Sequence, residues 1–416
     1  MLAQSRGSAG KALGPRSERP AVTHYSDGSR AEKMRIQKFY AACMAVAMLA
    51  VAGCGSSDDE PKKKGFDGPD PFAVARGAAI GEPGTATSPE WAGEGQVPAK
   101  QPDQNGDGKV KIGVITSGDT NDGTYYQSTA DAVAYAASKH DWEYTVQGLV
   151  PLTQAVTAAE NLCRQRVDMI VIGDAQLAQA VTAAKNPICK DTFFYLQGGY
   201  GSPEQDATFT QSYDVGLGYA YVAGVAMGAY MKANDIKKTG FLSGIAAPFN
   251  TTIGKVFKEG VKSQVPNADV VETYTGDQLD VGKAVEGFNA QVSQGIGAIY
   301  PYFGAPTVAV AKKAKEAGIP VLGSPKSFCD SKDGSFIGEV IFAPGYYLAP
   351  MLDMYADGKL ELGVTRNWRL GVDPVPAVHP CADAGDGKDP MNAAIEQAQA
   401  DLNAGKIDVF AMAGAS

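Results

Sequence analysis

From Lys109 to Leu322 the chain repeats one pattern: a short apolar run, turn residues, then a segment with apolar residues at helical spacing. In the first set the runs fall at 109–116, 143–149, 168–172 and 192–197, with helical segments at 124–139, 152–165 and 175–185. The pattern restarts at Lys238–Ser243. It continues through runs at 269–275, 298–300 and 319–322 and helical segments at 250–263, 281–294 and 306–317. Unalternated apolar runs suit strands buried on both faces, and repeated strand–helix units build a parallel sheet covered by helices. A further run at 335–342 and helices at 344–357 and 390–404 follow. The expectation is an α/β protein of two similar lobes that exchange chain more than once.

The segment from Val215 to Lys232 carries no charge until its last residue and contains Gly224-xxx-Gly228. Its three tyrosines and four glycines, and a length just under that of a bilayer span, argue for a helix buried against a sheet.

The N-terminal region has a different character. A basic stretch from Met34 precedes the apolar segment Ala41–Ala52, which ends in Val51-Ala52-Gly53-Cys54 and then a polar run. This is the layout of a secretory signal, and the small residues before a cysteine resemble a bacterial lipoprotein signal. That resemblance implies cleavage before Cys54, a lipid on its sulfur, and a start at Met34. The expected division is leader and signal 1–53, disordered tether 54–108, first lobe 109–236 plus about 326–357, and second lobe 237–325 plus about 358–410. At the end of the tether, Asp103-Gln-Asn105-Gly-Asp107-Gly108 matches the first half of a calcium loop. Val114 stands where the closing glutamate belongs, so a polar turn is expected and no metal site.

Without residues 1–53 the chain keeps 29 basic and 43 acidic residues, a net charge of −14. So acidic a surface argues against nucleic acid and against adhesion to anionic lipid, leaving the lipid on Cys54 as the membrane contact. Four cysteines remain beyond Cys54, an even number for an exported chain. Their spacing fits no zinc motif, and the expected disulfides are Cys163–Cys189 and Cys329–Cys381, with four free buried thiols as the alternative.

In the first strand–helix connection, Ser117-Gly118-Asp119 and Asn121-Asp122-Gly123 make a polar loop, and a helix opens with Tyr125 and Tyr126. Such a loop at the carboxyl end of a parallel strand is where ligands are held.

Asn121-Asp122-Gly-Thr-Tyr125-Tyr126-Gln127-Ser128 is also the most specific piece of a wider resemblance. Gly240-Phe-Leu-Ser-Gly244, Lys255-Val-Phe-Lys-Glu-Gly260, Tyr274-Thr-Gly276, Gly282-Lys-Ala284, Ala298-Ile-Tyr300 and Leu402-Asn-Ala-Gly405 follow in the same order. The chain thereby resembles, over about 109–410, the basic membrane protein family of substrate-binding lipoproteins. The resemblance implies a bilobal type I periplasmic binding-protein fold, two Rossmann-like parallel-sheet lobes joined by crossover strands. It further implies a monomer in the cell envelope that delivers a small solute to ABC permease subunits, with purine nucleosides the ligands of similar receptors. By position Tyr125 would stack on the base, Asn121 and Asp122 would be polar contacts, and Phe249 would cover the other face. The full set of candidate contacts is Ser117, Asp119, Asn121, Asp122, Tyr125, Tyr126, Gln197, Phe249, Asp277, Tyr302 and Ser324.

Three departures bear on the ligand. Gln197 and Ser324-Pro325 stand where the family carries acidic residues, and a family lysine is replaced within Gly338-Glu339-Val340-Ile341. An enzyme is the reading from another class. The three histidines, at 24, 140 and 379, have no partner at metal or triad spacing, and no phosphate loop or nucleophile elbow is present. No catalytic residue or cofactor is expected.

Overall fold

The computed structural model describes residues 69–76, 91–199, 202–214 and 216–414. The leader, the signal and Cys54 lie outside the described residues. In chain order the described elements begin with α1 (Ala73–Arg76), β1 (Trp91–Ala92), β2 (Lys111–Ile115), α2 (Tyr125–His140), β3 (Glu143–Gln147), α3 (Ala155–Arg164), β4 (Met169–Ile172), β5 (Phe193–Gly198) and β6 (Thr210–Asp214). They continue with α4 (Gly216–Ala233), β7 (Lys238–Ser243), α5 (Pro248–Gln264), β8 (Asp269–Tyr274), α6 (Val281–Ser293), β9 (Ile299–Tyr302), α7 (Pro306–Glu316) and β10 (Val321–Gly323). The last are β11 (Phe336–Ile341), α8 (Pro344–Ala356), β12 (Thr365–Trp368), β13 (Ala377–Pro380), α9 (Lys388–Asn403) and α10 (Val409–Ala413). Between β4 and β5, Ala175–Lys185 winds as 3₁₀ turns rather than the expected α-helix.

The strands form two sheets, ordered β1-β12-β6-β5-β4-β2-β3 and β13-β11-β10-β9-β7-β8. Five consecutive strands of each sheet, β6-β5-β4-β2-β3 and β11-β10-β9-β7-β8, are parallel and follow one topology, and β12 adds a sixth parallel strand to the first. Their first strands, β2 and β7, each lie between the second and the third. The strand order therefore reverses between β2 and β4 in one lobe and between β7 and β9 in the other. At such a switch point neighbouring loops leave in opposite directions and open a crevice at the carboxyl edge.

Three crossovers link the lobes, and they do not fall at 236, 326 and 357 as expected. After β6 the chain passes to α4, which packs on α5 and α9 of the second lobe. After β11, a second-sheet strand, α8 returns to pack on α2. Then β12 joins the first sheet and β13 the second. Two first-sheet strands missing from the sequence reading are polar: Thr210–Asp214 reads TQSYD and Thr365–Trp368 reads TRNW. The second contains Arg366, fully buried, whose guanidinium meets Asp373 at 2.8 Å and lies over the Trp368 ring. A buried charge is tolerated there because its partner is buried with it.

The helix Gly216–Ala233 is buried from Gly216 to Met231. Its glycines admit helix α5, not the sheet: a Cβ on Gly224 would come 2.0 Å from the Phe257 carbonyl oxygen. Among the described residues no helix is long and apolar enough to cross a membrane.

Part of the expected tether is docked. Phe72 is buried edge-on against Tyr346, and Arg76 pairs with Asp70 and Asp353. Trp91–Ala92 adds an antiparallel edge to β12, and the side-chain amide of Gln101 donates to the Leu360 carbonyl and accepts from the Leu360 N–H. Isolated apolar residues such as Phe72 and Trp91 have no period to announce them. Both expected disulfides are formed, Cys163–Cys189 and Cys329–Cys381.

Candidate functional site

The two switch points face one cavity of about 390 Å³. From the first lobe it receives Tyr125 and Tyr126 after β2, Asp174 and Gln176 after β4, and Asp214 at the end of β6. From the second it receives Phe249 and Asn250 after β7, Gln278 after β8, Tyr302 and Phe303 from β9, and Phe342 after β11. Tyr219, in the first turns of α4, completes the wall.

The first loop is held by its own carboxylates. Asp122 accepts hydrogen bonds from the backbone N–H groups of Thr124, Tyr126 and Gln127 and from the Thr124 hydroxyl. The Gln127 side chain reaches back to the Gly123 N–H at 2.9 Å. Donors at the start of α2 that the helix cannot satisfy are thus occupied from within the loop. Asp119 accepts from the N–H and side-chain amide of Asn121. The stretch 121–128 builds the helix start that presents Tyr125. Gly118 matters for close approach: a Cβ there would lie 2.1 Å from the Tyr126 ring.

Of the eleven expected contacts, Tyr125, Tyr126, Phe249 and Tyr302 line the cavity. The other seven are not among its lining residues, and their polar atoms engage the protein. Ser117 holds Asp174 through its N–H and its hydroxyl. Asp119, Asn121 and Asp122 are committed to the loop as described. Gln197 is buried against the Tyr195 hydroxyl, Asp277 accepts from the N–H groups of Leu279 and Asp280, and Ser324 faces the Pro301 carbonyl.

The sequence reading missed Asp174, Asp214, Tyr219, Asn250, Gln278 and Phe342. Asp174 precedes the 3₁₀ segment and accepts from Gln176 N–H as its cap. A carboxylate straight after the run 168–172 was a usable signal, since it sits at a strand's carboxyl end. Asp214 closes a strand that was not recognised, so nothing marked it.

Electrostatically the cavity is acidic and aromatic. Burial raises the Asp174 carboxyl, while the donors of Ser117 and Gln176 draw it back. Burial pushes Asp214 up to about 7, against the pull of the Tyr347 hydroxyl. Burial, then the charges of Asp214 and Asp174, raise the Tyr125 phenol. The Tyr219 and Tyr302 hydroxyls lie 3.1 Å apart, and burial holds both phenols protonated. No Lys, Arg or His is among the described lining residues. The arrangement can bind and desolvate a small solute, with ring faces for stacking and carboxylates to accept hydrogen bonds.

Two lobes of like topology around one solute-sized cavity define a type I periplasmic binding protein. Residues 109–399 match the family described as ABC transporter substrate-binding protein, PnrA-like, and the chain belongs to that family. Such proteins capture a small molecule outside the cytoplasm and hand it to permease subunits. The chain is similar in structure to an ABC transporter solute-binding protein from Conexibacter woesei DSM 14684, with TM-score 0.54 and 18% identity over 72% of this chain and 98% of that one. A solute-binding protein from Aeropyrum pernix K1 gives TM-score 0.60 and 14% identity over 72% and 92%. A periplasmic solute-binding protein from Actinobacillus succinogenes 130z, with bound D-allose, gives 0.53 and 13% over 66% and 99%. At these identities the likeness is one of fold. No curated protein sequence matches.

Proposed function

We propose that this chain is a lipid-anchored monomer that captures a small polar solute bearing an aromatic ring, foremost a purine nucleoside or a related compound, for an ABC importer. The observation that carries the reading is Tyr125 and Phe249, one from each lobe, lining the same cavity beside two carboxylates. Planar rings from facing lobes suit a base, and carboxylates suit hydroxyl donors. The absence of basic side chains from the described lining disfavours phosphorylated ligands. Binding is the chemistry this lining supports, rather than turnover.

A sugar is the second reading, favoured by the structural neighbour with bound D-allose, since an aromatic face also stacks on a pyranose. Thermal-shift screening of the chain from residue 55 onward against nucleosides, bases and sugars, followed by calorimetry, separates the two. Nucleosides should raise the melting temperature and monosaccharides should not. The reverse would put the sugar in place of the nucleoside. Neighbouring permease and ATPase genes would favour import over a ligand-sensing role.

Anchoring through Cys54 rests on the Val51-Ala52-Gly53-Cys54 sequence. Fatty-acid labelling should mark the wild type and leave Cys54→Ala unlabelled. An unlabelled wild type would remove the anchor.

A further inference from the structure

We propose that Asp214 is the countercharge for a positively charged group on the ligand. The cleft would then take a cationic heteroaromatic compound, protonated or alkylated on a ring nitrogen, in preference to its neutral counterpart. This rests on the reading of the cavity as the site of a ring-bearing solute, and it names the charge of that ring.

The two carboxylates of the cavity differ in their surroundings. Asp174 accepts from the N–H and hydroxyl of Ser117 and from the N–H of Gln176, with donors on both oxygens. Asp214 has no such set. It stands at the end of β6 with phenols around it: the Tyr347 hydroxyl favours its ionised form, and its charge is felt by Tyr125, Tyr219 and Tyr302. No cation is among the groups that act on it. Burial without a countercharge lifts its carboxyl to about 7, so an arriving positive charge would ionise it and be neutralised by it.

The rings beside it complete the case. Tyr219 and Phe342 stack at 4.5 Å with planes 8° apart, and Tyr302 lies 5.5 Å from Phe342 at 23°. With Tyr125 and Phe249 they line the cavity with π faces, which attract cations as well as flat rings. Among the described lining residues nothing supplies an opposing positive charge. A carboxylate and several π faces without a base are complementary to a delocalised cation.

The test uses two matched pairs of probes on the exported chain. One pair is adenosine methylated on a ring nitrogen, a cation, against its neutral isomer methylated on the exocyclic amine. The other is N-methylquinolinium against quinoline methylated on carbon. Calorimetry at pH 7.5 should show the cation of at least one pair binding about tenfold tighter than its neutral partner. Asp214→Asn should shrink that ratio to about twofold or less. A preference in the quinoline pair alone would sustain the charge assignment while removing the nucleoside reading. Equal or reversed affinities in both pairs, no binding of any probe, or a ratio that survives Asp214→Asn would overturn the proposal.

Discussion

The ring of Tyr219 lies face to face on that of Phe342, with centroids 4.5 Å apart and planes 8° from parallel. Tyr219 follows the first crossover and Phe342 stands at the second, so one stack ties two of the three connections between the lobes. Tyr302 extends it from β9, its ring 5.5 Å from Phe342 and its hydroxyl 3.1 Å from that of Tyr219. The same rings are cavity wall. Phe342→Ala should lower stability by about 3–4 kcal/mol, the cost of a large buried ring, and should weaken ligand binding as well. Denaturant unfolding and calorimetry check both, and a loss below 1 kcal/mol would show that the stack is not a structural joint.

Tyr125 meets Tyr126 edge-on at 5.1 Å and tilts toward Phe342 at 6.2 Å, with its ring only half-buried. Tyr125→Ala should weaken binding of a ring-bearing ligand by about 1–3 kcal/mol, as loss of a stacking platform does. Tyr125→Phe keeps the face and should cost much less. Equal affinities in the wild type and the alanine variant would end the stacking role.

Asp214 makes the empty protein's stability depend on pH. Its carboxyl titrates near 7 when folded, above its unfolded value, so the folded state binds the proton more tightly. The resulting stabilisation is full below about pH 4 and is lost as pH rises through 7. Asp214→Asn should match the wild type near pH 4 and exceed it at pH 8 by about 2–4 kcal/mol. Melting curves at the two pH values decide this, and a difference that does not change with pH would contradict it.

The disulfides close loops of 26 and 52 residues. By the chain-entropy relation, replacing both cysteines of a pair with serine should cost about 3.5 kcal/mol for Cys163–Cys189 and about 4 kcal/mol for Cys329–Cys381. Non-reducing peptide mapping establishes the pairs and unfolding curves measure the losses. Four free thiols in the exported protein would refute both.

The sequence by itself determined what local forces decide. Met169–Ile172 is apolar throughout and Phe193–Gly198 opens with the run Phe-Phe-Tyr-Leu, and helices such as Pro248–Gln264 carry their buried residues on one face. Burial of those residues fixes element type with little outside help, so the two repeated sets and the bilobal fold were legible. Tyr125 was legible too, because it opens a helix directly after a polar loop at a strand's end.

Only the tertiary structure decided the rest. Thr210–Asp214 and Thr365–Trp368 are strands because neighbours on both sides complete their hydrogen bonds, and Arg366 can be buried because Asp373 comes with it. Their own side chains give no reason to expect a strand, so the crossovers were misplaced and Asp214 went unseen. The loop at 119–122 could be read as ligand contacts until the fold showed its carboxylates occupied by backbone N–H groups of the same loop. Which polar groups remain open to a solute depends on what the folded chain has already satisfied, and that is a property of residues distant in sequence.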